Sequence, residues 1–366
     1  MNGGSSYEVF LLHCLGVKLT SPHTMFRVAV ICLALSFGLL HAEAGPEENN
    51  IDIDDEAELR SKFEEFKEQY KKNYDQKEEE KRFRIFVENL KAAKRMQELD
   101  RGTAIYGITK FSDMSDEEFG ASYLNPVISN NNDTWPEEML SAEVSGPLTN
   151  MSLPHFVDWR KLGAVTRVKD QGFGCGSCWA FGSVANIESM WYIKTKQLRE
   201  LSEQEILDCD FRSTGCYGGH PYNAFKAVIS LGGMMSESEY PYKARNGHCA
   251  FKPSEAIAKI RTFRNIQPRE EEMKIWVANS GPIVVTMNAT GLQGYRGGII
   301  RPGAFACDNF RLNHVMLVVG YGVTRGHPYW IIKNSFGADW GEEGYFRIYR
   351  GENACGINKF PITVII

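Results

Sequence analysis

The chain has no run approaching about 18 consecutive apolar residues, the least that crosses a bilayer as a helix, so no stable membrane anchor is expected. It has no basic surplus either: 41 Lys and Arg stand against 46 Asp and Glu, a formal charge of -5. Nucleic acid, which attracts basic clusters, is therefore not an expected partner. Metal-ligand spacing is also missing. One Cys-x-x-Cys is present, at Cys175 and Cys178, with no second one and no His-x-x-x-His, so neither zinc nor another cofactor is expected. Proline and glycine are absent from Ile51 to Met96, which leaves that stretch without helix breakers. With 43% apolar residues among 366, disorder throughout is excluded, and the length suits two or three folded units.

The N-terminal region does contain a shorter apolar run, Val28 to Leu40, introduced by Met25-Phe-Arg27 and followed by Ala42-Glu43-Ala44. A basic start, a short apolar core and a small-x-small site predict a signal peptide cleaved near Ala44. A short buried helix is the alternative, and the terminal position argues against it. The product enters the secretory pathway, bound for the lysosome or the extracellular space. Residues 1–24 lie upstream of the better start at Met25 and read as an extension or an alternative start.

Nine cysteines are present, of which Cys14 and Cys32 fall in or before the signal. The seven others, Cys175, Cys178, Cys209, Cys216, Cys249, Cys307 and Cys355, are an odd number, so in an oxidising compartment one thiol stays free. Sequons at Asn132, Asn150 and Asn288 agree with secretion and mark candidate glycosylation sites.

Between Ile51 and Met96, dense charge surrounds Phe63, Phe66 and Tyr70, then Phe83, Phe86 and Leu90, each set at i, i+3, i+7. That spacing predicts two helices, each with one apolar stripe. Tyr106 to Asp113 reads as strand-like, and Ser115-Asp-Glu-Glu118 as a capped helix start with an acidic first turn. Residues 121–152 lack hydrophobic periodicity and read as an exposed linker that invites cleavage near Ser152. After Leu153 the composition turns to Gly, Cys and aromatics. Ser177 to about Lys196 reads as a buried helix, and Pro282–Met287, His314–Gly320, Tyr329–Ile332 and Gly344–Tyr349 as strands.

The strongest chemical signal is Gln171-Gly-Phe-Gly-Cys-Gly-Ser-Cys-Trp-Ala-Phe181, a Gly-rich turn that delivers Cys178 to a helix start. Helix N-terminal N–H groups and a neighbouring imidazolium lower a thiol's pKa, to about 3 to 4 in the strongest cases, which makes it a nucleophile near neutrality. His314, entering an apolar strand, is the candidate base, although taken alone it reads as an ordinary structural histidine. Asn334, after another strand, could accept from the ring and orient it, and Gln171 could donate to an oxyanion beside the N–H of Cys178.

These residues carry a resemblance. From about Lys62 to its end the chain resembles the precursor of a papain-family cysteine protease. Cys175-Gly-Ser-Cys-Trp179 is that family's nucleophile signature, and His314 follows Cys178 by 136 residues, within the family's usual separation of about 130 to 150. Glu78, Arg82, Phe86, Asn89, Ala93 and Gln97 have the spacing of its propeptide motif, the last two as in the branch of cathepsins F and W. Tyr106 to Asp113 resembles its second propeptide motif.

The resemblance implies an α+β, two-lobe fold, with a helical left lobe and an antiparallel β-barrel-like right lobe at 153–366, preceded by a helical inhibitory propeptide at 45–120. It implies Cys178 as nucleophile, His314 as acid/base, Asn334 as orienter and Gln171 as oxyanion donor. It pairs Cys175 with Cys216, Cys209 with Cys249 and Cys307 with Cys355, leaving Cys178 free. Gly218 and Gly219 match the segment that pairs with substrate backbone; His220, Pro221, Ala289 and Phe360 match the pocket for the second residue before the scissile bond; Asn313 and Trp340 match further cleft positions. Expected partners are protein or peptide substrates, the chain's own propeptide and cystatin-type inhibitors, with a monomer as the state. Three departures stand out: an extra residue in Phe173-Gly174, which could displace Gln171; Phe336 in place of a tryptophan; and Gly182 in place of a small hydroxyl residue.

Two other readings compete. Cys175 and Cys178 could form a redox pair, which would leave His314 and Asn334 without work. A binding protein that kept this fold but lost activity through the altered Gln171 loop is the other.

Overall fold

The computed structural model describes residues 51–130, 153–303 and 307–366. The signal peptide, residues 1–24, Asn132, Asn150 and the cleavage position near Ser152 lie outside the described residues.

Two capped helices open the described chain. Asp55 accepts from the N–H groups of Ala57 and Glu58 to start α1, Glu56–Tyr70, and Asp75 accepts from Lys77 and Glu78 to start α2, Gln76–Leu99. The expected stripes meet: Phe63 and Phe66 pack with Phe83, Phe86 and Leu90 in a small separate core, with Tyr70 partly buried against it. Burying each of these large side chains contributes roughly 1.5 to 3 kcal/mol. The spaced motif residues of α2 face a second segment. Arg82 donates to Glu78, Glu118 and the Asp113 carbonyl. Asn89 Nδ2 donates to the carbonyls of Ser112 (2.9 Å) and Met114 (2.8 Å), and Gln97 pairs with Ala104 and Tyr106. The motif is therefore one helix face that clasps residues 104–118.

Within that clasped segment only Ile105–Tyr106, β1, is a strand, because Thr109 and Ser112 use their hydroxyls to tie the next residues into a turn. Helix α3, Asp116–Tyr123, begins with the expected capping box between Ser115 and Glu118. A short helix α4, Pro126–Asn130, follows. Tyr123, Leu124, Asn125 and Ile128 are buried, so the first part of the stretch read as an exposed linker is not exposed. Its apolar residues pack on the following domain instead of on one another, so they carry no local period.

That domain has two lobes. In the first, α5 (Cys178–Thr195) is buried from Cys178 to Met190 and packs with α6 (Glu203–Cys209) and α7 (Pro221–Leu231). Gly182 on α5 answers to close packing: a Cβ there would stand 2.8 Å from Val315 Cγ1. The second lobe is a sheet of β2 (Val157–Asp158), β3 (Thr262–Asn265), β4 (Ile283–Met287), β6 (Ile299–Ile300), β7 (His314–Thr324), β8 (His327–Lys333), β9 (Tyr345–Tyr349) and β10 (Ile362–Ile365), with α8 (Glu270–Asn279) against it. The order is β3-β10-β4-β7-β8-β9-β6, with β2 added on β7, and every pairing but β6 with β9 is antiparallel. The path has two free ends, so among the described residues the right lobe is an open sheet and not a closed barrel.

Strand β1 pairs antiparallel with β5 (Tyr295–Gly297) of this lobe. Backbone bonds from Arg101 to Arg301, Thr103 to Ile299 and Gly107 to Gly294 lengthen the seam. The α1–α2 unit is thus tethered to the sheet lobe by an added strand. The three expected disulfides, Cys175–Cys216, Cys209–Cys249 and Cys307–Cys355, are all formed, and Cys178 is free.

Candidate active site

Cys178 is the first residue of α5 and fully buried, and His314 is the first residue of β7. The backbone N–H of Val315, next to His314, points at the Cys178 sulfur and brings helix start and strand start together. His314 Nε2 bonds Asn334 Oδ1 at 2.8 Å, and the Ser335 N–H holds that same oxygen at 2.8 Å. Asn334 therefore presents a fixed acceptor to one ring nitrogen, and the other faces the Tyr123 carbonyl. Phe336 lies 4.8 Å from the His314 ring, and Trp340 packs edge-on against Phe336 at 5.1 Å. The smaller aromatic still covers the imidazole.

Gln171 is buried with its amide fixed at both ends. Ser335 Oγ donates to its Oε1 at 2.7 Å, while its Nε2 donates to the carbonyls of Cys175 (3.0 Å) and Tyr123 (3.1 Å). The extra residue is absorbed outward between Gly172 (φ +73) and Gly174 (φ +80), where left-handed backbone lets Phe173 swing into solvent. Gln171 itself stays buried between Ser335 and Cys175 with the longer loop in place.

The site is covered by the protein's own chain. Tyr123 directs its carbonyl to Gln171 Nε2. Two residues on, the Asn125 N–H donates to the Asn313 carbonyl and Asn125 Nδ2 to the Gly219 carbonyl, both at 2.7 Å. Gly218 sits at φ +120, where a Cβ would lie 2.2 Å from Asn125 Oδ1, so this close approach needs a glycine. The rings of Phe111, Phe119 and Tyr123 meet Phe336 edge-on at 5.4 to 5.7 Å.

The cover changes the electrostatics. Burial pushes the Cys178 thiol up to about 12, although the N–H groups of Val315 and Trp179 and the Asn125 side chain favour the thiolate. Burial pushes His314 down to about 4, against the pull of Asn334 and the Tyr123 carbonyl. Both groups are therefore neutral near pH 7, the reverse of the charged pair expected for an open site, because water is kept from both.

The remaining predicted cleft residues lie on several elements. His220 and Pro221 begin α7 directly after Gly219. Asn313 Oδ1 accepts the Ala289 N–H at 2.8 Å, which ties two of them together, and Phe360 packs against the helical lobe's apolar cluster. Asn288 is buried, and its side chain bonds the Asp308 carbonyl and the Thr290 N–H. Its sequon is used inside a turn. Cys175 bonds Cys216, so the redox-pair reading fails for want of a Cys175–Cys178 couple.

Several supporting residues had no signal in the sequence. Ser335 and Tyr242 brace the Gln171 loop, the latter donating to the Gln171 carbonyl at 2.7 Å. Behind the centre, Lys169 is buried with Glu188 and Glu203, and Lys333, next to Asn334, donates to Thr166. These contacts join positions far apart in the chain that no local pattern connects.

A buried thiol at a helix start, a strand-borne imidazole held by an amide, and an added helical segment closing the cleft define a papain-like fold with a propeptide. Comparison with known proteins agrees. Residues 153–365 match the papain family cysteine protease profile, and residues 63–119 match the cathepsin propeptide inhibitor domain. The chain belongs to the papain family of cysteine proteases, and residues 63–119 form its propeptide inhibitor domain. It is similar to cathepsin F of Mus musculus, 42% identical over 83% of this chain, and to cathepsin F of Drosophila melanogaster, 39% identical over 79%. It spans 64% and 47% of the length of those two relatives. Its structure is similar to a digestive procathepsin of Tenebrio molitor larval midgut, with a TM-score of 0.75 at 32% identity, covering 84% of this chain and 100% of that one.

Proposed function

We propose that the chain is the precursor of a cysteine endopeptidase that holds its own site closed until the propeptide is removed. The observation that carries this reading is the Tyr123 carbonyl. It lies on the Gln171 amide beside Cys178 and His314, where a scissile carbonyl would have to lie for attack, and it belongs to the segment that covers the cleft.

With the cover gone, water returns and the burial that keeps both groups neutral is relieved, so a thiolate–imidazolium pair can form. The Cys178 thiolate adds to the carbonyl carbon, and the oxyanion takes hydrogen bonds from Gln171 Nε2 and the Cys178 N–H. His314 protonates the leaving amine, then accepts a proton from the water that hydrolyses the acyl-enzyme. Asn334 keeps the ring aligned through both steps. A pocket of His220, Pro221, Ala289 and Phe360 would favour an aliphatic or aromatic residue two positions before the cleaved bond. Delivery to the lysosome or outside the cell, restraint by cystatin-type inhibitors and a monomeric state complete the reading. The fixed Gln171 amide supports an active enzyme over an inactive binding protein.

The test is hydrolysis of a fluorogenic dipeptide amide after acid activation, with and without a thiol-directed epoxide. Wild type is expected to be active, and both the epoxide and Cys178→Ala to lower the rate by at least about 10^4-fold. A processed, folded wild type without activity would favour the binding protein.

A further inference from the structure

We propose that Asp170 and Asp339 form a subsite for a basic side chain on the leaving-group side of the cleaved bond, filled in the precursor by Lys110 of the propeptide. The proposal rests on the protease reading above and adds a specificity to it.

The first observation is an ammonium already seated there. Lys110 Nζ donates to Asp170 Oδ2 at 2.7 Å and to Asp339 Oδ1 at 2.9 Å, and the lysine side chain is only 14% exposed. The two acids belong to separate segments of the peptidase, whereas the lysine belongs to the part that must leave. Among the described ion pairs, Lys110 is the partner of both acids.

The second observation is the space between them. Gly337 has φ +82, and a Cβ on it would stand 2.7 Å from Asp339 Oδ1, 2.9 Å from Asp170 Oδ2 and 2.9 Å from Lys110 Nζ. Any side chain at 337 would fill the hollow that the ammonium uses.

The third observation is location. Asp170 precedes Gln171, and Gly337 follows Phe336, which lies on His314. Along the covering segment, Tyr123 meets Phe336 and directs its carbonyl to Gln171, and two residues on Asn125 holds the Gly219 carbonyl, so the Gly218–Gly219 strip and the Phe336 end of the cleft are engaged in succession across the Gln171 centre. A substrate whose amino-terminal part pairs with Gly218 and Gly219 therefore sends its leaving part over Phe336 toward the two acids. Phe173, 71% exposed on the lengthened loop, and Asp339 are the peptidase side of a space of about 740 Å³ whose other walls, Lys110 and Tyr123 among them, belong to the propeptide. Phe173 offers an apolar wall for the alkyl stem of a long basic side chain. Once Lys110 departs, two carboxylates close enough to share one ammonium face each other without a counter-charge, which favours a substrate that supplies one.

The experiment compares quenched peptides that differ only in carrying Arg or Glu at the first or second position after the cleaved bond. On the mature enzyme the Arg peptide is expected to have a kcat/KM about three- to tenfold higher at low salt, a ratio that shrinks as salt rises. Asp339→Asn, and Asp170→Asn with Asp339→Asn, should bring the ratio toward one; a ratio within one enzyme does not depend on how much of it folds. In parallel, Cys178→Ala processed in trans is titrated with both peptides by fluorescence polarisation. Equal rates and equal binding for the two peptides, or a ratio that survives in the double variant, would overturn the subsite. A binding preference for Arg in a protein that hydrolyses neither peptide would support the subsite while refuting the protease reading.

Discussion

The inhibitor and the peptidase are held together by different means. The α1–α2 hairpin encloses one small aromatic core and surrounds it with carboxylate pairs on exposed or half-exposed side chains. The peptidase has two large apolar clusters and three disulfides. Even the junction is divided: Tyr106, Phe111, Phe119 and Tyr123 of the propeptide join the sheet lobe's core, but it is also held by the backbone seam, by the exposed Arg101–Glu352 pair and by Lys110 on partly exposed Asp170 and Asp339. A part that must be removed is fastened by contacts that proton uptake can loosen. The part that must survive is fastened mainly by apolar contacts and disulfides, which proton uptake leaves alone.

The sharpest probe of this contrast is the thiol itself. Buried under Tyr123 and Asn125, Cys178 is raised to about 12, so its alkylation in the intact precursor should climb with pH through neutrality without a plateau. The mature form at pH 7 should react on the order of 10^3-fold faster, as read by iodoacetamide labelling. Equal labelling would mean that the propeptide does not seal the site.

Phe86→Ala comes next. It should cost about 3 to 5 kcal/mol, more than one small core can lose, so the hairpin opens and the precursor leaks activity at pH 7. Phe346→Ala in the sheet lobe should cost a similar amount yet leave a folded, inhibited precursor with a lower melting temperature. Limited proteolysis of both variants reads the difference, and a resistant, silent Phe86→Ala precursor would break the comparison.

The smallest expected effect concerns acid. The hydrogen bond from Arg82 holds Glu118, inside the propeptide, down to about 2. A depressed carboxyl stabilises the closed form fully above its ordinary value of 4.5, and that contribution is lost as pH falls from there toward about 2. Processing should therefore accelerate below pH 4.5, with little help from this pair at pH 6. Glu118→Gln should process several-fold faster at pH 6 and respond less to acid. An unchanged pH profile would show that acid acts elsewhere.

Much of the molecule was legible because local rules and function coincide. Phe63, Phe66, Phe83 and Phe86 repeat at helical spacing, since a helix must bury one face, and the structure buries those rings. The cluster from Gln171 to Phe181 carries its chemistry in consecutive residues, so Cys178 was readable directly. Asn125 was not: in a segment without period it reads as linker, yet it bonds the Gly219 carbonyl deep in the cleft. The burial of Asn288 was illegible for the converse reason, because a sequon reports three residues and not their surroundings.

The sequence by itself determined the two helices of the inhibitor, the thiol at its helix start and the identity of the groups available to serve it. These are properties of neighbours in the chain, set by spacing and side-chain chemistry. Only the tertiary structure decided that Gln171 is buried with its amide held between Ser335 and Cys175, that the thiol and imidazole are neutral while covered, and that Lys110 sits between Asp170 and Asp339. Each of those depends on which distant segments exclude water or bring charge, and distance in space is not written in distance along the chain.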